Sequence, residues 1–480
     1  MRPTTESHAT PSAAAPLGRA RAALLAALAV VLAGCSVPAV DLPRADVPAE
    51  WQHAPANDAA LGQAPDLSGW WHAFSDAELD RLVDRALAGN LTLQQAALRI
   101  EAARALTQQE KAGFRPNLGA HTISEPTPDS SASYFQAGFD AKWELGLFGR
   151  SASSARVAAA DVGLAESDAQ AVRVSVVAEV ARTYIELRAA EQRLDLYKQL
   201  AESAQRKSTL VATRARLRLA SAADAAGSAA EEANADAAMA EPRLVVDRCR
   251  QQLAVLLGVT APSAADLVGT GAPPTLGAFR IAEAPADLLR TRPEIRRAEA
   301  NVLKSAGELG IAHADLFPRL AIGGQLTYSA RVIGHTRLSD ADGIASFGPL
   351  IDVPIFDWGA RRAVVNARDA ALKASVLAYR EAVLESVAEV ETAMAALEHQ
   401  RERAADLKRA ADALARGDDN AATLRRLGLA DDVDMAAATS ALVQSRIDLA
   451  QAEEARSLAF VALYKALGGA PLPPSSEPAS

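Results

Sequence analysis

The chain is built twice from one unit. Gly149 and Gly359 stand 210 residues apart, and so do Gly258 and Gly468. The flanking residues recur with them: Leu147-Phe148-Gly149 against Phe356-Asp357-Trp358-Gly359, and Leu256-Leu257-Gly258 against Ala466-Leu467-Gly468. Pro116 and Pro318 are only 202 residues apart, so the second copy carries eight extra residues between its proline and its glycine. Internal repeats constrain a fold before any local pattern does, because one structural unit must serve at two places. Any architecture for this chain must therefore be two-fold in design.

Within each copy the order of patterns is the same. Trp70-Trp71 and Phe74 open the first copy, Ser75-Asp76 offers a helix cap, and Leu79, Leu82, Val83, Ala86 and Leu87 follow at helical spacing. A second helix is predicted from about Leu91 to Gly113, stopping before Pro116. From Phe135 to Phe148 the period becomes two: Phe135, Ala137, Phe139, Ala141, Trp143, Leu145 and Leu147 alternate with polar residues or glycine. That alternation suits a tilted transmembrane strand with one face on lipid and the other on water. In the second copy Leu320, Ile322, Leu326 and Tyr328 share one side of a strand. Phe347, Pro349, Ile351, Val353 and Ile355 share one side of the next.

Long helices follow each strand pair. Val174, Ala178, Ala181 and Ile185 make one stripe, with Val177 and Tyr184 beside it, on a helix predicted from about Ser151 to Leu217. At about 1.5 Å per residue such a helix approaches ~100 Å. It breaks near Ala220 to Ala223, and the return helix to Gly258 contains Pro242, which should bend it. In the second copy Val383, Val387, Val390, Met394 and Leu397 form a coiled-coil-like seam on a helix from about Ala360 to Leu427, which breaks at Gly428. Aromatic residues are only 4% of the chain against 50% hydrophobic, so alanine carries the excess. Such a composition favours close-packed long helices over a thick aromatic core.

The amino terminus is an export signal. Arg19 and Arg21 precede an apolar run from Ala22 to Ala33, too short to span a bilayer stably, that ends in Leu32-Ala33-Gly34-Cys35. These residues resemble a bacterial lipobox. The resemblance implies cleavage before Cys35 and attachment of N-acyl and S-diacylglycerol lipid there, with no other cofactor; Ser36 favours an outer-membrane address. The mature chain would carry a net charge of −11, which argues against a nucleic-acid partner, since that would want a basic face. Once Cys35 is acylated, Cys249 has no intramolecular disulfide partner. The expected divisions are a signal peptide at 1–34, a lipidated tether at 35–69, a first repeat at 70–258, a connector at 259–284, a second repeat at 285–470 and a disordered tail at 471–480. Strands are expected near 117–148 and 319–356, with the long helices at 151–257 and 360–468.

Each repeat supplies two strands, so one chain has four. Four strands cannot close a barrel, and open strand edges are not tolerated in lipid. Several copies must share the sheet; three copies give twelve strands, and two or four would also satisfy an even count.

The motifs together resemble the TolC-like outer membrane factor family, in the lipoprotein branch serving RND-type tripartite efflux systems. The carriers are Trp70-Trp71-x-x-Phe74 with Asp76, Trp143-Glu144-Leu145-x-Leu147-Phe148-Gly149-Arg150, Leu288-Leu289-Arg290-x-Arg292-Pro293-Glu294-Ile295, Pro354-Ile355-Phe356-Asp357-x-Gly359, and Leu463-Tyr464-Lys465-Ala466-Leu467-Gly468-Gly469. Five such motifs in order over most of residues 70 to 470 are specific where each alone is weak. The resemblance implies a mixed α/β membrane protein of two tandem helix–β-hairpin–long-helix repeats. It assembles as a homotrimer into a 12-stranded outer-membrane β-barrel continued by a periplasmic α-helical barrel. Its partners would be a periplasmic adaptor protein, an inner-membrane RND pump and outer-membrane lipid. The duct would pass solutes without performing chemistry.

The resemblance also places the candidate sites. The two helix–helix breaks would form the periplasmic tip, where Asp431, Asp432 and Asp434 match an acidic constriction, with Asp434 best aligned. Relatives often carry a further acid one turn on, where this chain has Ala437. Arg214, Arg216, Arg218, Leu219 and Ala220 at the first break, and Arg425, Arg426, Gly428 and Leu429 at the second, would latch the tip or meet the adaptor. The bland alternative for these charges is helix capping and solvation. Asp140, Lys142 and Glu144 would line the barrel lumen. Phe135, Trp143, Phe148, Phe347 and Phe356 would join an aromatic girdle or pack at barrel–helix joints. The eight-residue surplus is expected between Arg331 and Ser346 as a cell-surface loop.

No metal-ligand spacing or phosphate loop supports an enzyme. A type I protein secretion duct is the alternative within the family. A coiled-coil envelope lipoprotein without a pore is the alternative outside it, but that reading has no use for the alternating strands.

Overall fold

In the computed structural model the described residues are 51–53, 66–125, 134–261, 272–277, 292–333, 337–469 and 471. Cys35 and the export signal lie outside them. The chain forms two compact units, one from residues 104–161 and 302–375, the other from residues 43–103, 162–301 and 376–480, together with a terminal stretch of the first outside the described residues.

The first unit is organised by a four-stranded antiparallel sheet in the order β1-β2-β3-β4: β1 is Asn117–Glu125, β2 Tyr134–Glu144, β3 Arg319–Ile333 and β4 Arg337–Asp352. The central pairing, β2 with β3, joins the two sequence repeats, with Phe139 opposite Leu326 and Trp143 opposite Ile322. The outer strands β1 and β4 each pair on one side only.

Three expectations are corrected here. The alternation at Leu145 and Leu147 is not strand, because β2 ends at Glu144. Leu145 still donates its N–H to the Leu320 carbonyl at 3.1 Å. Gly146, Phe148 and Gly149 then adopt left-handed backbone and turn the chain. β4 likewise ends at Asp352, so Val353 and Ile355 lie beyond it. The surplus of the second hairpin is not a loop: β3 and β4 stay paired to Ile333 opposite Arg337, with a register shift at Ala330/Arg331. Extra residues inserted beside a turn can extend a ladder at no loss of backbone hydrogen bonds, and here they do.

The second unit packs helices around an aromatic cluster. A 3-10 turn at Trp70–Phe74 leads into α1, Ala77–Gly89, capped by Asp76, whose carboxylate accepts from the Glu78 and Leu79 N–H groups. Trp70 stacks on Tyr464 with centroids 5.7 Å apart, and Phe74 meets Phe460 edge-on at 5.3 Å. Leu79, Leu82, Val83 and Ala86 are buried in the same cluster as Val177, Ala178, Ala181, Tyr184 and Ile185 of the predicted stripe. The coiled-coil seam is buried too, through Val383, Val390, Met394 and Leu397. The Cys249 thiol is in this core and burial pushes its pKa up to about 11. It is an unreactive packing residue.

The remaining helices are α2, Leu91–Gly113; α3, Arg150–Arg216; α4, Ala222–Ala238; α5, Ala240–Leu256; α6, Pro293–Ala314; α7, Ala360–Arg426; and α8, Asp432–Ala466. Helices α3 and α7 have 67 residues each, so the repeat is conserved in length as well as order. The return segments differ. The second is one helix of 35 residues, whereas the first breaks at Met239. Pro242 explains the break, since it has no N–H for the Ala238 carbonyl and its ring presses on that residue. Among the described residues no helix is long and apolar enough to cross a membrane.

Candidate functional site

The sheet has two chemically different faces. Residues opposite one another in an antiparallel pair share a face, so the register assigns them. One face collects Leu118, Ala120, Phe135, Ala137, Phe139, Ala141, Trp143, Leu320, Ile322, Leu326, Tyr328, Phe347, Pro349 and Ile351. The other collects Asn117, His121, Gln136, Asp140, Lys142, Glu144, Gln325, Thr327, Ser346 and Asp352, with a few aliphatics such as Ile344 and Leu350. The three lumen candidates therefore do lie on one polar face. The Asp140 carboxylate accepts from His121 Nδ1 at 3.1 Å, and Arg150 reaches Glu144 at 3.2 Å.

The apolar face stays exposed although it carries the largest side chains of the unit; Phe347 is 85% exposed. Exposed apolar surface of this extent marks a lipid or protein contact. Where the sheet meets the helices, Arg150 also pairs with Asp315, which in turn binds Arg319 at 2.7 Å. Phe148 stacks on Phe317 beside that pair, at 5.0 Å and 14° between planes. Of the expected girdle residues, Phe135, Trp143 and Phe347 are on the apolar face, while Phe148 and Phe356 fall in the joints beyond the strands.

The two helix breaks, both in the second unit, are built alike. Ser221 and Asp224 form a capping box at the start of α4, and Asp431 and Asp434 form one at the start of α8, again 210 residues on. Arg216 bonds the Thr213 hydroxyl at 3.0 Å and Arg426 bonds Thr423 at 3.0 Å, the same contact in each copy. Leu217, Leu219, Leu427 and Leu429 all project outward.

The structure also divides the candidate charges by role. Arg214 donates to Asp431 at 2.7 Å and so ties the first break to the second, while Arg425 pairs with Asp432 within its own break. The Arg214 hydrogen bond, followed by backbone N–H donors, holds the Asp431 carboxyl below its usual range. A depressed carboxylate pKa adds stability above the ordinary value of 3.8, and this is lost only as pH falls through the lower folded value. The tie is thus intact at neutral pH. Asp434 accepts the Asp431 N–H at 3.2 Å, which makes it a cap in the single chain. Asp431, Asp432 and Asp434 are all exposed.

One position breaks the symmetry of the tips. Gly428 has φ 73°, and its counterpart Arg218 takes φ 59° with a full side chain. Nothing would lie within 4 Å of a Cβ at Gly428, so the cost of adding one is purely conformational. Gly428→Ala is expected to lower stability by about 1 kcal/mol, and Arg218→Gly to raise it by up to about 1 kcal/mol. Thermal melting of the purified protein checks both; equal shifts in one direction would show that this backbone is not strained.

Sequence reasoning missed two buried ionic sites. Arg188 binds Glu78 and Glu191 at 3.0 and 2.8 Å, and Arg292 donates to the Ser386 carbonyl at 3.2 Å and pairs with Glu389. Arg292 had a signal, since it lies in the Arg-Pro-Glu motif; Arg188 had none, because a lone helix arginine reads as solvated.

The profile of the family described as outer membrane efflux protein matches residues 82–259 and 284–469. Outer membrane protein OprJ of Pseudomonas aeruginosa is 31% identical over 464 residues, covering 92% of this chain and 94% of OprJ. The probable efflux pump outer membrane protein TtgC of Pseudomonas putida is 28% identical, covering 93% of this chain and 94% of its own length. The solved structure of the outer-membrane channel OprN superposes with a TM-score of 0.76 at 27% identity, over 91% of this chain and 99% of OprN.

Proposed function

This chain belongs to the outer membrane efflux protein family, and from that premise we propose that it is the passive outer-membrane exit duct of an RND-type tripartite efflux pump, working as a homotrimer with a periplasmic adaptor and an inner-membrane pump. The observation that carries the reading is the four-stranded sheet with one apolar face, one polar face and two unpaired edges. A sheet of that kind is satisfied in lipid only by closing on further copies of itself. A pore-free coiled-coil spacer would have no use for it. Asp140, Lys142 and Glu144 then face water in the lumen, and lipid on Cys35 anchors the amino terminus to the same membrane. In this reading the protein moves solutes and catalyses nothing.

The acidic tip is proposed as the constriction. Asp434 and its neighbours are exposed and carry like charge, so a three-fold arrangement would place several carboxylates around one axis. Purified protein in planar bilayers is expected to give small, cation-selective steps, and Asp434→Ala to enlarge them and relieve block by divalent cations. Unchanged conductance and block in Asp434→Ala would remove the gate assignment. Absence of any channel activity from wild-type trimers, with the tip variants included, would remove the duct.

A further inference from the structure

The joint between sheet and helices holds a cavity that passive conduction leaves without a use. Its volume is about 470 Å³, and it lies between the end of α2, the start of β1, the end of β2 and the first turns of α3. A cavity of that size accepts a small organic molecule. Asn117 and Glu144 on its wall belong to the polar face of the sheet, so it opens on the side that the duct reading gives to the lumen.

The charges around the cavity are not evenly spent. Arg150 is held between Glu144 at 3.2 Å and Asp315, and Asp315 also binds Arg319. The Arg150 guanidinium is therefore committed. Glu110 is different. One of its oxygens accepts a 2.8 Å hydrogen bond from the hydroxyl of Ser154, a residue only 8% exposed. Its other oxygen has no partner, and no cation among the described residues pairs with it. Gln109 and Asn117 add side-chain amides, and the half-buried ring of Phe114 supplies an apolar wall. Phe114 is fixed in turn, because Trp143 donates its indole N–H to the Phe114 carbonyl at 3.1 Å.

The repeat shows that a joint of this kind folds without these residues. At the 202-residue offset of the prolines, Glu110 corresponds to Ala312 and Phe114 to Leu316. At the 210-residue offset of the glycines, Glu144 corresponds to Pro354, Arg150 to Ala360 and Ser154 to Val364. The second joint thus has neither carboxylate, nor the arginine, the hydroxyl or the ring. What the joint requires is present in both copies, whereas this lining is present in one. Its residues are free to serve a ligand.

We propose that the cavity is a subsite for organic cations in transit, with Glu110 taking the ammonium group and Phe114 the apolar part beside it; the inference rests on the duct reading and names a class of solute for it. The lining dictates the class. A carboxylate oriented through one oxygen offers the other to an ammonium N–H in a charge-assisted hydrogen bond. The Phe114 ring adds a cation–π contact, and the amides of Gln109 and Asn117 offer carbonyl oxygens to the remaining N–H groups. An organic anion would meet Glu110 and Glu144 with no guanidinium free to receive it. A hard divalent ion would want about six oxygen ligands, and no group of acids, histidines or cysteines among the described residues is placed to hold a metal. Three copies of the chain would set three such subsites around the lumen where the helices hand over to the strands.

Block of potassium current by benzylammonium in planar bilayers tests the subsite, with benzoate as the matched anion. Every channel carries Asp434→Ala, so that cation block at the tip does not contribute. Benzylammonium is expected to reduce the current and benzoate to leave it unchanged. Glu110→Gln keeps the side-chain size and an oxygen for Ser154, and is expected to weaken the block about tenfold. Phe114→Leu is expected to weaken it about threefold. Native mass spectrometry showing trimers separates a lost site from a lost assembly. Should Glu110→Gln not assemble, Ser154→Ala removes the hydroxyl that orients the carboxylate and is expected to weaken the block about threefold. Channels that conduct without block, or that the Glu110 and Ser154 variants leave equally blocked, overturn the subsite and leave the duct standing. Equal block by benzoate overturns the choice of cation. Trimers that carry no current, in wild type as well, overturn the duct reading itself.

Discussion

Arg188→Met is expected to destabilise the helical unit by roughly 3–5 kcal/mol, the largest loss from any single charged residue in this chain. The Arg188 side chain is only 3% exposed and holds Glu78 at 3.0 Å and Glu191 at 2.8 Å. Its guanidinium also lies 5.2 Å from the centre of the Tyr184 ring, and the Tyr184 hydroxyl donates to Asp76 at 3.0 Å. Asp76 caps α1, so one arginine supports the chain of contacts that fixes α1 against α3. Methionine fills much of the volume but leaves Glu78 charged in a site where water cannot replace the lost donors. Lys198→Met is the control, because its pair with Asp195 is exposed and a surface pair of that kind is worth ~0–1 kcal/mol. Denaturant unfolding of the detergent-solubilised protein measures both. A loss from Arg188→Met no greater than that of the control would show that the buried network is not what holds α1 in place.

Phe139→Arg is expected to prevent assembly in the outer membrane, whereas Gln136→Arg is expected to be tolerated. The two residues sit on the same strand and differ in face: Phe139 lies opposite Leu326 and Ala120, Gln136 opposite Ser329 and Ile123. An arginine on the lipid face of a barrel costs about 2–4 kcal/mol near the midplane. In a trimer it is introduced three times into one closed sheet, and the penalties are paid together. Gln136→Arg places the same charge towards water, where its effect is on selectivity, turning the duct towards anions. Heat-modifiable trimer in outer-membrane fractions reports assembly, and reversal potentials of reconstituted channels report selectivity. If both arginines block assembly equally, the assignment of faces is wrong.

Much of this was legible from residues alone, because local periodicity and covalent punctuation acted without competition. The stripe Val174, Ala178, Ala181, Ile185 and the seam Val383, Val390, Met394, Leu397 are buried as their spacing implies. The helix starts are set by Asp76, Ser221 and Asp431, each a capping residue whose side chain meets N–H groups that the helix itself cannot satisfy. Strand ends were not legible. The alternation of Leu145 and Leu147 continues the pattern of β2, but three residues with positive φ end the strand regardless of side-chain period. Nor was the fate of the surplus residues, since sequence counts an insertion without saying whether it pairs or loops.

The sequence by itself determined the two-fold design, the helix lengths, the faces of the strands and the family. These depend on interactions within a few residues of one another, or on a repeat that can be counted. Only the tertiary structure decided which strands are neighbours, which arginines are buried, and that Arg214 reaches Asp431 across 217 residues of chain. Those outcomes depend on distance in space. It also showed Phe148 stacked and Trp358 bare, although their sequence surroundings are equivalent. The reason is that only the first of the two turns has the other repeat beside it within the chain, where Phe317 meets Phe148.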